Sequence, residues 1–392
     1  MNKPPLFPSD AADPTAETTP SARLGAGVVK RVTHLADGRE LIYYDDPDTT
    51  LGPERAADTR VLDARPETAT MRRDVLTGDW ISIAAARQGR AFLPPAELDP
   101  LAPQTPSNPS EIPSLYDVAV FENRSPSFGP ALGDPADARD DDTGDTALGL
   151  ARPSVGRCEV VCFSHERTGS FGTQSVTRAR TVIEAWADRT RVLSEVPGIR
   201  QVFPFENRGE AIGVTLQHPH GQIYAYPYIT PRTQRLLEQI DSTPPDLFQR
   251  ILEFEQRGPR VVLRGEHFTA FVPFAARWPI EVHVLPHRHV PDLAGLTDAE
   301  RDELAPFYLR LLRGVDALYD TPTPYIAAWH QAPVRVGRDT VRLRLELTSP
   351  RRAADRLKFL AGSEAAMGAW IGDLVPETAA ERLRAAIEGV TL

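Results

Sequence analysis

The stretch Thr215-Leu216-Gln217-His218-Pro219-His220-Gly221-Gln222-Ile223-Tyr224 constrains this chain more than any other ten residues in it. An extended backbone turns residues two apart to the same side, which places His218 and His220 on one face. Around His220, Pro219 restricts the backbone and Gly221 frees it. The imidazole is therefore exposed on a rigid mount, with the Gln222 amide two residues on. Such a mount suits nucleophilic attack on phosphorus.

The bulk composition leaves room for that reading. At 392 residues the chain can bury a large core and has the length for two or three domains. A net charge of −10 argues against a general nucleic-acid or anionic-membrane binder. Only Lys3, Lys30 and Lys358 are lysines among 44 basic residues, as in a genome favouring arginine codons, so Lys358 stands out. Cys158 and Cys162 flank Glu159-Val160-Val161, a spacing that fits neither a CxxC redox pair nor a paired-knuckle zinc site. They read as buried free thiols on a strand. With no apolar leader and no membrane-length run, a reduced, cytoplasmic setting is expected.

Residues 1–27 are expected to be a disordered tail, 28–230 one half carrying the histidine motif, and 231–392 a second half. A hairpin is expected from Val28 to Leu35 and Leu41 to Tyr44, turning at Ala36-Asp37-Gly38. Residues 45–70 read as a linker, and recurrent prolines between 93 and 113 forbid element interiors. Residues 174–196 read as an amphipathic helix with Val182, Ile183, Trp186 and Val192 apolar. The second half repeats the theme with strands near 260–264, 268–273, 280–285, 325–329 and 340–347 and a helix over 297–318. His283-Val284-Leu285-Pro286-His287-Arg288-His289 reads as a degenerate echo of the first histidine segment, consistent with a weak internal duplication.

Neutral imidazole is a good nucleophile toward phosphoryl centres. Attack on a nucleoside diphosphate would leave a nucleotidyl-histidine, which a second phosphate could then take up. Such transfer needs alignment and charge stabilisation more than acid–base chemistry, and Gln222 can donate to a nonbridging oxygen. An isolated HxH is as readily a surface pair or a metal-ligand pair. The full HPHGQ string, preceded by Phe205-Glu206-Asn207-Arg208-Gly209, is far more restrictive.

Those residues lie among further ordered motifs: GRELIYYD (38–45), LTGDWISIAAARQGR (76–90), VFENR (120–124), RCEVVCF (157–163), FENRGEAIGVTLQHPHGQIYAYP (205–227), AAWHQAP (327–333) and LKFLAGSEAAMGAW (357–370). Over roughly 30–390 the chain resembles the bacterial galactose-1-phosphate uridylyltransferases, a branch of the histidine-triad superfamily whose third motif histidine is glutamine. The resemblance implies an α+β fold of two histidine-triad-like halves, with antiparallel sheets flanked by helices. It implies a ping-pong exchange of UMP between UDP-glucose and galactose-1-phosphate through uridylyl-His220, in a homodimer with neither nucleic acid nor membrane as partner. His220 would be the nucleophile, with Gln222 and His218 completing the catalytic segment. Arg87, Arg90, Asn123, Glu206, Asn207, Gly213 and Thr215 match phosphate- and nucleotide-binding positions. Lys358, Phe359, Ser363 and Glu364 match the hexose-phosphate segment, with Ser363 standing where some relatives carry tyrosine.

The departures concentrate at metals. Many relatives bind zinc, but the ligand positions fall at Asp99, Ala102 and Arg167, leaving only His218, so no cofactor is expected and hydrogen bonds should replace the scaffold. A second, iron-type site matches at His330 but falls on Arg344 and Glu346 elsewhere, and an ion pair is expected there instead. Two other functions share parts of this pattern: a related nucleotide phosphorylase or adenylyltransferase, and a non-catalytic nucleotide sensor. Retention of His220, Gln222, Arg87, Arg90 and Lys358 weighs against the sensor, and the match at 357–370 favours the galactose enzyme.

Overall fold

A computed structural model describes residues 19–89, 93–133, 139–140 and 148–392. Twelve strands form one antiparallel sheet: β1 (Thr19–Arg23), β2 (Val29–His34), β3 (Glu40–Asp45), β4 (Val118–Glu122), β5 (Arg157–Cys162), β6 (Gln201–Arg208), β7 (His220–Tyr226), β8 (Val261–Arg264), β9 (Phe268–Phe271), β10 (Ile280–Pro286), β11 (Tyr325–His330) and β12 (Arg344–Ser349). Their spatial order is β1-β2-β3-β4-β5-β7-β6-β11-β12-β10-β9-β8. Strands Thr70–Arg73, Trp80–Ile83, Arg139–Asp140 and Leu150–Pro153 make a separate small sheet. The helices are α1 (Val176–Glu195), α2 (Pro231–Ser242), α3 (Leu247–Gln256), α4 (Asp298–Asp316) and α5 (Pro376–Glu388). The gap between α2 and α3 falls at Pro244-Pro245, where two rings remove successive amide donors.

Within the expected tail 1–27 the structure forms a strand. Thr19–Arg23 pairs with β2 as an edge strand, which accommodates Pro20 because one side of its backbone faces solvent. Residues 1–18 of that tail lie outside the described residues. The hairpin of β2 and β3 forms as the turn residues demand, with Gly38 in the left-handed region at φ +80°.

The centre of the sheet is a palindrome. The run β5, α1, β6, β7 recurs as β10, α4, β11, β12, and the order β5-β7-β6 then β11-β12-β10 reads the same from either side of the β6–β11 seam. At that seam Phe205 faces Ala328, Gln222 pairs with Phe205, and Glu346 pairs with Ala328. The counterpart of His220 and Gln222 is thus Arg344 and Glu346. The echo expected in His283–His289 is misplaced: His283 lies on β10, which corresponds to β5. Histidine content suggested the echo, but strand pairing decides the correspondence.

Helices α1 and α4 cover one face of the sheet. Trp186 of α1 stacks on Phe171 with ring centroids 5.3 Å apart and meets Trp329 of β11 at 6.4 Å, so one aromatic cluster spans both halves. Helix α1 departs from the amphipathic expectation, because every residue from Ala179 to Thr190 is buried. Its charged residues survive burial by pairing: Arg189 with Glu159 at 2.6 Å, Asp188 with Lys30 at 2.7 Å, and Arg180 with Glu184 at 2.5 Å. On the opposite face, Leu41, Tyr43, Ala119, Phe121, Val160 and Cys162 pack beneath Leu101, Ile112 and Tyr116 of the proline-rich loop. That loop roofs the approach to β7.

Candidate active site

Strand β7 alternates as a half-covered strand must. Gly221, Ile223 and Ala225 are buried, while His220, Gln222, Tyr224 and Tyr226 are partly open. Gly221 is needed for close approach: a Cβ there would lie 2.8 Å from the Phe163 ring and 2.9 Å from the Phe205 carbonyl oxygen. Gly213 meets a different demand. It ends the turn Glu210–Ile212 at φ +83°, reversing the chain toward the histidine segment.

The strand begins only at His220, so the two histidines do not share a strand face as the spacing alone predicts. His218 sits in a bend with its ring fully buried, 2.8 Å from Asp99 through Nδ1 and 2.7 Å from the Ser164 carbonyl through Nε2. The Tyr116 hydroxyl, which donates to the Leu101 carbonyl at 2.7 Å, lies 3.0 Å from the same Nε2. His220 donates from Nδ1 to the backbone carbonyl of His218 at 2.7 Å. That bond fixes the tautomer and leaves Nε2 with its lone pair. Burial pushes the His220 imidazole below its ordinary value, against the raising effect of that carbonyl, which keeps it neutral and nucleophilic at pH 7.

His218 and His220 line a cavity of about 370 Å³ together with Glu206, Asn207, Gly209, Leu216, Thr168 and Ser170. Glu206 is buried and accepts hydrogen bonds from the Phe171 amide at 3.3 Å and the Tyr325 hydroxyl at 3.0 Å. Burial outweighs these bonds and pushes its carboxyl up to about 7. Gln222 follows His220 on the open face, between Val160 of β5 and Phe205 of β6. Thr215 accepts the Leu93 amide through its carbonyl at 2.9 Å, tying the roof loop to the histidine segment. Asn123 continues β4 and donates its amide to the Cys158 carbonyl at 2.8 Å, beside Tyr224 rather than beside His220. Arg87 lies in the short turn Ala85–Gly89 after the small sheet, and Arg90 lies outside the described residues.

The positions that the resemblance gives to hexose phosphate do not line the cavity of His218 and His220. Lys358, Phe359, Ser363 and Glu364 come after β12, a strand three places from β7 and so about 14 Å from it across the sheet. There Lys358 is buried and paired with Glu364 at 2.8 Å, and it donates to the Arg277 carbonyl at 2.9 Å. Ser363 donates to the Ala369 carbonyl at 3.1 Å, while Phe359 is 75% exposed. Spacing in the sequence carries no information about that separation.

The donor set around His218 does not fit a zinc ion. Asp99 is bonded directly to His218, Ala102 offers no ligand, and the Arg167 Nε stands 3.7 Å from the Asp99 carboxylate. Burial alone would raise Asp99, but the His218 hydrogen bond and charge, the Leu101 amide and Arg167 hold it below the usual carboxylate range. At the iron-type position, Arg344 donates to Glu346 at 2.9 Å and Arg232 pairs with the other carboxylate oxygen. Burial pushes the neighbouring His330 imidazole down to about 3. Among the described residues one metal-capable trio occurs, Glu266, His267 and Glu303, well away from both histidines of the motif. Tyr116 and the Ser164 carbonyl escaped the sequence reading, since no periodicity links positions 102 and 54 residues from His218.

Known proteins resemble this chain in sequence and fold. Residues 62–230 match the N-terminal domain and residues 242–390 the C-terminal domain of galactose-1-phosphate uridyl transferase. The galactose-1-phosphate uridylyltransferase of Streptomyces lividans is 45% identical over 376 residues, spanning 91% of this chain and 97% of that protein. That of Thermotoga maritima is 33% identical over 323 residues, spanning 80% and 97% respectively. A solved uridylyltransferase structure superposes with a TM-score of 0.71 at 29% identity, over 81% of this chain and 98% of the other. An ADP-glucose phosphorylase from Arabidopsis thaliana shares the fold, with a TM-score of 0.60 at 21% identity over 82% of this chain and 99% of that one. Matched by both domain models and 45% identical to a relative over nearly its whole length, the chain belongs to the galactose-1-phosphate uridyl transferase family.

Proposed function

We propose that the protein exchanges UMP between UDP-glucose and galactose-1-phosphate by two displacements at His220. The observation that carries this reading is the bond from His220 Nδ1–H to the His218 carbonyl at 2.7 Å, which leaves Nε2 free beside the cavity. In the first displacement Nε2 forms a bond to the α-phosphorus of UDP-glucose, and the bond from that phosphorus to the bridging oxygen breaks. Glucose-1-phosphate leaves with the electron pair. In the second, a phosphate oxygen of galactose-1-phosphate attacks the same phosphorus, the N–P bond breaks, and UDP-galactose departs. Gln222 donates its amide N–H to a nonbridging oxygen in both steps. No metal enters either step.

The separation of Lys358, Phe359 and Glu364 from His220 supports a homodimer in which one chain's segment serves the other's nucleophile. Phe359, Met367 and Val375 of that segment are 75%, 80% and 60% exposed, an apolar run suited to coverage. A cytoplasmic setting accords with the two buried free thiols, Cys158 and Cys162.

UDP-glucose labelled at the α-phosphorus, quenched in alkali, should leave label on His220. An unlabelled histidine, with no exchange of glucose-1-phosphate into UDP-glucose, would sink the proposal. Label that galactose-1-phosphate does not discharge would assign another acceptor. For the dimer, mixing His220→Asn protein with a Lys358→Ala, Phe359→Ala double variant should restore activity absent from each alone.

A further inference from the structure

We propose that Asp99 is a positioning residue for the nucleophile, holding the HPH bend by a direct bond to His218 at the place where metal ligands would stand in relatives. The inference rests on the transferase reading for its kinetic arm only. Each nitrogen of the His218 ring faces an oxygen acceptor at hydrogen-bond distance, Asp99 Oδ2 at 2.8 Å and the Ser164 carbonyl at 2.7 Å. A carbonyl can only accept, so Nε2 carries a proton; the contact to Asp99 needs a second, shared between Nδ1 and the carboxylate. The ring is thus pinned at both ends, as a metal bond on one nitrogen and a carbonyl on the other would pin it.

Asp99 is itself fixed. Its Oδ1 accepts the Leu101 amide at 2.9 Å, its backbone carbonyl accepts from the Asn108 side chain at 2.8 Å, and Arg167 adds a positive charge 3.7 Å from Oδ2. The far end of the relay is the His218 carbonyl, which sets the His220 ring through Nδ1. Fixing the His218 ring therefore fixes the carbonyl that aims the reacting nitrogen. The segment that would supply two thiolates elsewhere supplies one carboxylate here, and the charge of Arg167 makes the place hostile to a divalent ion.

Asp99→Asn tests this, because it preserves shape while offering one acceptor oxygen and no negative charge. The rate of uridylyl transfer per titrated active site should fall by about tenfold or more, with KM for UDP-glucose changing less than about threefold, as expected when a nucleophile is misaimed and substrate binding is not. Counting only sites that accept label separates misaiming from simple loss of folded protein. A spectroscopic arm needs neither turnover nor a folded variant. Proton–nitrogen spectra of the wild-type protein should show two hydrogen-bonded ring N–H protons assigned to His218. Absence of a hydrogen-bonded proton between His218 Nδ1 and Asp99, near-stoichiometric zinc removable by chelation, or an Asp99→Asn rate within about twofold of wild type would overturn the proposal. Failure of the wild-type protein to uridylylate His220 would instead strike the transferase reading, leaving the spectrum to decide the role of Asp99.

Discussion

Glu206 sits in the wall of the cavity lined by His218 and His220 with its carboxyl pushed up to about 7, against 4.5 for an ordinary glutamate. Desolvation is the first cause, opposed by the Phe171 amide, the Tyr325 hydroxyl and the charge of Arg208. Below pH 4.5 the group is protonated in both the folded and the unfolded chain, and it adds no pH dependence. Between pH 4.5 and about 7 the unfolded chain gives up its proton while the fold retains it, so stability falls as pH rises. Above that window both states are ionised and the loss is complete. At about 1.4 kcal/mol per pH unit, the gap corresponds to about 3 kcal/mol.

Glu206→Gln removes the titration and keeps the size. The glutamine oxygen can still accept from Phe171, and its amide can donate to the Tyr325 hydroxyl. Urea unfolding of both proteins at one protein concentration, at pH 5, 6, 7 and 8, isolates the residue, because other titrating groups cancel in the difference. The stability of the variant relative to wild type should rise with pH, by about 3 kcal/mol in all and chiefly between pH 5 and 7. A difference that stays flat, or that falls with pH, would refute the reasoning. It would mean that Glu206 is ionised in the fold and paired with Arg208 strongly enough to overcome burial.

Gly221→Ala should destabilise the fold by about 1–3 kcal/mol through contact with Phe163 and the Phe205 carbonyl. Displacing the start of β7 should also lower kcat more than it raises KM in steady-state assays. Arg189→Met, which removes both Arg189 hydrogen bonds to the buried Glu159 carboxylate and leaves it Arg157 at 3.6 Å, should cost about 3–5 kcal/mol in chemical denaturation, and pairing it with Glu159→Leu should recover much of the loss. His330 ring resonances should show no titration between pH 5 and 8, since burial holds that imidazole down to about 3. A midpoint inside that range would show the β11–β12 face to be wetter than the fold indicates.

The sequence by itself determined the local chemistry. Pro219 and Gly221 marked the mount of His220, Pro244-Pro245 a helix break, and short apolar runs between turn residues most strands, because these depend on limits within a few residues. Tertiary structure alone decided the rest. It placed Arg344 and Glu346 opposite His220 and Gln222 about the sheet's centre, although their side chains share no chemistry with the motif. It buried α1 all round and matched its charges with Lys30 and Glu159, partners too distant in the chain for any periodicity to find. It set β12, the strand that leads to Lys358 and Glu364, three places from β7. It also closed Asp99 onto His218 across 119 residues, because a proline-rich loop, with only the single turn Ala96–Leu98 and isolated bridges of its own, packs down on the sheet through Leu101, Ile112 and Tyr116.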